Sequence, residues 1–321
     1  MKKVKFMDFR DRHTSVPLTN FALGYRPEGF IADQVCPRVQ VAKISDKYAI
    51  FGTENLKKID TLRDPKDKSK GRTRTLSTTS YSCKPHSIHE IINDVDREAV
   101  PNGGNLENEI VEAGMDSMLI SLEAEVATLM TTTSNYASSS FYTTLSDSAQ
   151  WDDAGGVSTP LDDIVTGIEA VKNGCGTMPN AIVIPWNVAT VLGSHPTVQA
   201  LNKYTHPDLV SNLGLPPTIK GLKVFVAGAQ HDETREGQSG MSLANIWGKD
   251  VVIFKLVPGA GWFTPAFCKT FSYGQVAFFV KRIPLGGEYL YNAQKIETVD
   301  AGRDPKMVGN RFGYVIKSAI S

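Results

Sequence analysis

The 321-residue chain has no excess of charge of either sign: 34 Lys and Arg balance 34 Asp and Glu. A neutral chain is a poor match for a generally basic nucleic-acid binder. It also gives copies of the chain no electrostatic reason to stay apart. Cysteine is scarce. Cys36, Cys83, Cys175 and Cys268 lie far apart and form no CxxC pair, so four free thiols in a reducing compartment are expected. No stretch approaches the ~18 apolar residues of a membrane span, and the longest apolar runs, 251–254 and 276–280, are strand-sized. The basic start MKKVKFMDFR is followed by no apolar run, so neither a secretory signal nor a membrane partner is expected. With 41% hydrophobic and 21% charged residues the chain falls in the globular range, which excludes a wholly disordered or collagen-like protein. Its length allows a sizeable core and about two domains.

Motifs for chemistry are also missing. There is no P-loop. The segment Gly237-Gln238-Ser239-Gly240 lacks the spacing of a nucleophile elbow, and Gly259-Ala260-Gly261 lacks the third glycine of a dinucleotide fingerprint. Cys83, His86 and His89 are residue types zinc accepts. They fall on a predicted strand, however, where that spacing alternates between faces. Asp152 and Asp153 form one acidic pair. Asp162 and Asp163 form another, read as favourable charge at a helix start. His195 and His206 each precede a proline and read as turn residues, with no serine or cysteine placed to use them. The expectation is a structural or binding protein rather than an enzyme, with no catalytic residue, metal or cofactor.

Residues 1–37 show little periodicity and contain Pro17, Gly24, Pro27, Gly29 and Pro37, which suggests an extended arm laid on other surfaces. Residues 38–52 and 75–92 carry strand chemistry. Between them, residues 57–74 hold eight basic and three acidic residues, a local net charge of +5. Strand, charged tip, strand describes a projecting hairpin. Its tip cations are Lys57, Lys58, Arg63, Lys66, Lys68, Lys70, Arg72 and Arg74. They form either a solvated tip or a surface that docks on acidic residues of a neighbour; without interleaved aromatics a phosphate site is the weaker reading.

Residues 105–130 carry the clearest helical pattern, with Asn105 as N-cap and apolar residues from Leu106 to Met130 at spacings of three and four. Residues 131–148 hold eleven Ser and Thr in eighteen, a loop or irregular strand. Thr159 and Pro160 open a second helix that Gly174 and Gly176 end. The chain then alternates: strand 181–185, helices 186–192 and 197–204, strand 222–226, an exposed loop over 228–241, and strands over 243–257, 266–283 and 314–320.

This order of elements resembles the major capsid protein of tailed bacteriophages, the Hong Kong 97-type fold. Three stretches carry the likeness: 160–201 (PLDDIVTGIEAVKNGCGTMPNAIVIPWNVATVLGSHPTVQAL), 219–227 (IKGLKVFVA) and 312–320 (FGYVIKSAI). The family likewise sets a helix before an apolar strand, and then a helix opened by a proline-tryptophan-like turn. The resemblance implies an α+β fold with an N-terminal arm (1–37) and an extended loop (38–95). It implies a peripheral domain (96–173 and 266–305, spine helix about 105–130) and an axial domain (174–265 and 306–321). It implies a structural protein of the virion, assembled in the host cytoplasm into hexamers and pentamers of an icosahedral shell. The implied partners are a separate scaffolding protein, since no long charged helical segment precedes the arm, a portal protein, in some shells a decoration protein, and packaged double-stranded DNA held without sequence readout. Some such shells join a loop lysine to a neighbour's asparagine. Asn292, Asn310 and Glu297 match no motif for this, so noncovalent contact is expected. The alternatives are an encapsulin-like compartment and a soluble α/β hydrolase.

Overall fold

A computed structural model describes residues 13–25, 27–50, 77–99, 105–153, 158–202, 213–234, 240–259, 264–274, 277–285 and 293–321, with the isolated positions 58, 61, 62, 65, 68 and 261. In chain order the first elements are α1 (Val16–Gly24), α2 (Ala32–Val35), β1 (Arg38–Val41), β2 (Ser45–Ile50), β3 (Ser77–Ser82), β4 (Lys84–Ile92), α3 (Asp94–Ala99) and α4 (Leu106–Thr131). Short 3₁₀ turns and β5 (Tyr142–Thr144) lead to α5 (Pro160–Cys175), β6 (Ala181–Pro185), α6 (Trp186–Ser194) and α7 (Pro196–Asn202). Eight strands follow: β7 (Thr218–Ile219), β8 (Leu222–Ala227), β9 (Gln230–Asp232), β10 (Leu243–Asn245), β11 (Val251–Phe254), β12 (Cys268–Tyr273), β13 (Phe279–Pro284) and β14 (Gln294–Met307) before β15 (Gly313–Lys317).

Two sheets organise these elements. One runs β5-β15-β11-β6-β8-β7. Its centre is apolar on both faces, as β6 and β11 are buried at every position, the pattern of a strand covered on two sides. Helix α5 lies on it closely: a Cβ on Gly167 would come within 2.7 Å of Ile253 and 2.9 Å of Tyr314. The other sheet runs β1-β12-β14-β13, with β4 also paired to β14. The long helix α4 packs against it. Met115, Met118, Val111 and Ile110 of α4 meet Ile92, Val280 and Ile296 of the sheet and Leu18 and Ala22 of α1.

Helix α4 forms where the apolar spacing predicts it. The Asn105 side chain accepts from the Asn108 N–H at its start, and Glu107 and Glu109 lie in its first turn, suited to the helix dipole. Helix α5 ends at Gly176, whose φ of 70° is the left-handed conformation a glycine C-cap supplies.

The arm departs from the expectation. It is helical at 16–24 and 32–35 rather than extended. Pro17 stands in the first turn of α1, where its missing N–H leaves no bond unmade. Before α1 the chain does run extended along β13: the Arg282 N–H donates to the His13 carbonyl (2.8 Å) and the Ser15 N–H to the Val280 carbonyl (2.9 Å). The stretch 228–241, read as one loop, begins with β9, which pairs with β10.

Candidate assembly interface

The hairpin β2–β3 stands apart from both main sheets as a two-stranded ribbon, registered Ser45↔Ser82 through Ile50↔Ser77. Aromatic contact fastens its base. The Tyr81 ring stacks on Phe271 of β12 at 4.7 Å between centroids, and Tyr48 tilts against the same ring at 5.0 Å. Beyond this anchor Ala49 is buried and Ile50 packs against the core. Of the predicted tip cations, Lys58 and Lys68 are described and exposed. Lys57, Arg63, Lys66, Lys70, Arg72 and Arg74 lie outside the described residues. Leu62 in the same stretch is 79% exposed. Other large apolar side chains open to solvent include Trp186 and Met178 near β6 and Met241 and Leu243 at β10. Strand β4 forms an edge of its sheet with Ile88 and Ile91 exposed, a combination that suits pairing with another chain.

Beneath the hairpin an open groove of about 650 Å³ lies between α4 and β14, lined among others by Lys84, His86, Glu125, Asn135 and Arg303. Its floor is a buried charge network. Arg303 is fully buried; it donates to Glu125 (3.1 and 3.3 Å), to the Ser121 hydroxyl (2.8 Å) and to the Met118 carbonyl (3.3 Å). Asp300, also fully buried, faces Arg303 at 3.7 Å and accepts from Arg38 at 3.3 Å. A bulge in the β14–β4 pairing between Asp300 and Arg303 turns both side chains to this point. Gly302 sits in the bulge at φ 156°, and a Cβ there would lie 3.2 Å from the Cys83 side chain.

A second buried carboxylate ties distant segments together. Glu123 of α4 is fully buried. One of its oxygens accepts from the backbone N–H groups of Ile31 (3.1 Å) and Ala32 (2.8 Å), and the other accepts from the Trp247 indole (2.6 Å). Burial pushes its carboxyl above the usual 4.5, while the three donors pull it down. Lys269, also buried, donates to the carbonyls of Gly261 (2.6 Å) and Thr264 (2.7 Å), and burial pushes its amine down to about 8.

The other polar residues singled out in the sequence take structural posts. Cys83 donates to the Phe271 carbonyl (3.4 Å), His86 lies 3.8 Å from Glu125, and His89 stands opposite Glu297 in the β4–β14 register. Among the described residues no group of three or more His, Cys, Asp or Glu side chains could hold a metal ion. Asp163 accepts from the Trp151 indole (2.9 Å), and Asp152 accepts from the backbone N–H of Ser321 (3.0 Å). One expectation fails here. A serine does meet His195: Ser158 Oγ is 3.2 Å from Nε2, and Thr197 Oγ1 is 2.7 Å from Nδ1. Ser158 is buried and stands just ahead of α5, so this contact joins the start of α5 to the turn between α6 and α7.

Sequence reading missed Glu123 and the Asp300–Arg303 pair. A signal existed for the first: Glu123 lies four residues after Leu119 and three before Val126, on the buried stripe of α4. No local pattern marks the second, because its partners lie far away in sequence.

No protein-family model matches the chain. The chain is 27% identical to the major capsid protein of Pseudomonas phage JBD67 over 234 residues, 72% of this chain and 73% of that one. It is 26% identical to the major capsid protein of Burkholderia phage BcepMu over 237 residues, 74% of each. Among solved structures, a phage-related protein from Bordetella bronchiseptica superposes with a TM-score of 0.73 at 22% identity, over 96% of this chain and 98% of that one. The capsid of cyanophage P-SCSP1u superposes with a TM-score of 0.62 at 11% identity, over 91% and 89%. An encapsulin from Synechococcus elongatus gives 0.52 at 9% identity, over 88% and 85%. With buried sheets, a separate two-stranded ribbon and a long packed helix in the order the sequence suggested, the chain has the Hong Kong 97-type α+β capsid fold and is related to the major capsid proteins of phages.

Proposed function

We propose that the chain is a major capsid protein, a structural subunit that assembles with its own copies into the icosahedral shell around the double-stranded DNA of a tailed phage. The observation that carries this reading is the match to two phage major capsid proteins along nearly three quarters of the chain. Within it, residues 1–37 act as the arm and 38–95 as the extended loop. Residues 96–173 with 266–305 act as the peripheral domain, and 174–265 with 306–321 as the axial domain. The subunits form hexamers and pentamers. Assembly draws on a separate scaffolding protein and a portal, and it takes place in the host cytoplasm. The chain works without catalysis or cofactor. Large surfaces rather than a pocket do the work: the hairpin pairs with neither main sheet, and Lys58 and Lys68 beyond it are exposed to a neighbour.

Light scattering and negative-stain microscopy of the purified chain, with and without a co-expressed scaffolding protein, test this. Megadalton shells, or capsomers that close into shells, are the expected result. A stable monomer or dimer under every condition overturns the proposal. Similarity to an encapsulin keeps one alternative in view, and particle content separates the two: DNA for a phage head, a cargo protein for a compartment.

The tip cations are proposed to dock on acidic residues of a neighbouring copy. Reversing Lys66, Lys68, Lys70, Arg72 and Arg74 to Glu changes the local charge from +5 to −5, since five residues each lose two units. The variant is expected to assemble at least tenfold less efficiently than wild type, and more so at low salt, where exposed charges are least screened. Its circular dichroism and unfolding transition should be unchanged. Normal shell yield at low salt would remove the docking role.

A further inference from the structure

The four cysteines are all buried and unbridged, but two of them are neighbours. Strands β1 and β12 pair in parallel from Arg38↔Thr270 onward. Two residues before Arg38, between α2 and β1, Cys36 comes beside Cys268 of β12. The contacts agree. The Thr270 N–H donates to the Pro37 carbonyl (3.1 Å), and the Thr270 hydroxyl contacts both the Cys36 carbonyl (3.1 Å) and the Cys36 sulfur (3.3 Å). The Cys268 thiol donates to the Val35 carbonyl, one residue before Cys36 (3.3 Å). Adjacent strands lie about 4.8 Å apart, and a disulfide accepts Cα separations of about 4.4–6.8 Å. The two backbones thus run close enough for the finished bond to leave the β1–β12 pairing in place.

We propose that Cys36 and Cys268 form a latent disulfide site, which an external two-electron oxidant closes to lock the arm onto β12. In the step each thiol loses a proton and together they lose two electrons as the S–S bond forms. A low-molecular-weight disulfide takes these up and leaves as two thiols, or a diazene such as diamide takes them up and leaves as the hydrazine. Burial, and next the Cys36 side chain, push the Cys268 thiol well above the usual range, so reaction is slow while the arm stays docked. It proceeds when residues 31–37 lift briefly. The chain is thus made in the dithiol form in a reducing compartment and gains the crosslink outside it. The crosslink closes a very long loop, the case in which a disulfide restricts the unfolded chain most. Nothing in this step depends on the shell reading, and it is tested on the folded chain whatever its assembly state.

The native full chain is incubated with diamide for a day, blocked with N-ethylmaleimide, unfolded and digested without reductant for mass spectrometry. Two of the four thiols should be lost within one chain, with one linked peptide pair that contains Cys36 and Cys268. The thermal midpoint should rise by several degrees and return on reduction. The C36S and C268S variants should each keep all three remaining thiols and show no rise. Recovery of four free thiols from native chain, a crosslink through Cys83 or Cys175, or bridges only between chains would each overturn the proposal.

Discussion

Asp300→Ala is expected to destabilise the unassembled subunit by about 3–5 kcal/mol, the cost of breaking a buried charge pair from one side. The side chain is fully buried between two guanidinium groups, Arg38 at 3.3 Å and Arg303 at 3.7 Å. Its other oxygen accepts the Gly302 N–H at 3.0 Å, which holds the bulge. Removing it leaves two cations facing each other with no anion between them, and the bulge amide unpaired. Arg303 keeps Glu125 and Ser121, and Arg38 keeps Asp33 at 2.8 Å, but neither partner lies between the two cations. The pair D300A/R303M removes both charges nearest the bulge. It should recover part of the loss, because a matched apolar replacement leaves less uncompensated charge. Urea denaturation followed by circular dichroism reads both. A D300A transition within 1 kcal/mol of wild type (an order-of-magnitude limit for exposed pairs) would show that the network contributes little.

The contrast between what local sequence reveals and what it hides follows from how each feature is encoded. Helix α4 was legible because its apolar spacing and its cap lie within one stretch. Strands β6 and β11 were legible as short apolar runs. The arm was misread because α1 is short and almost evenly apolar around its circumference, so no period of 3.6 stands out. Its stability comes from Leu18 and Ala22 packing on α4 and β13, which is tertiary context. Ser158 and His195 are separated by Thr159, by the whole of α5 and β6, and by α6, so no spacing rule joins them. The charged tip was visible as composition alone. In the docking proposed above its partner lies on a second copy, and no single chain's sequence encodes that register.

Glu123→Gln, a nearly isosteric change, should cost about 2–4 kcal/mol, from about 1–3 kcal/mol for each buried donor left unpaired. The reason is the polarity of the site. Every group that faces the carboxylate is a donor: two backbone N–H groups of the arm on one oxygen and the Trp247 indole on the other. A carboxylate accepts on both sides. A glutamine accepts on one and presents N–H on the other, so either the arm or the indole is opposed donor to donor. Glu123→Ala should cost at least as much, since all three donors then lose their acceptor. The readout extends beyond stability. Trp247 is buried, and loss of its partner should change its emission in E123Q even under conditions where the chain stays folded. The pH dependence has a definite sign. Burial raises the Glu123 carboxyl above 4.5 in the folded chain, so the native state holds that proton more tightly than the unfolded state does. The group's contribution is then fullest below 4.5 and falls as pH climbs through the folded value. A protonated Glu123 itself presents an O–H to this donor set, so the linked gain in acid belongs to wild type alone, and the comparison with E123Q is made at neutral pH, where the carboxylate accepts on both sides.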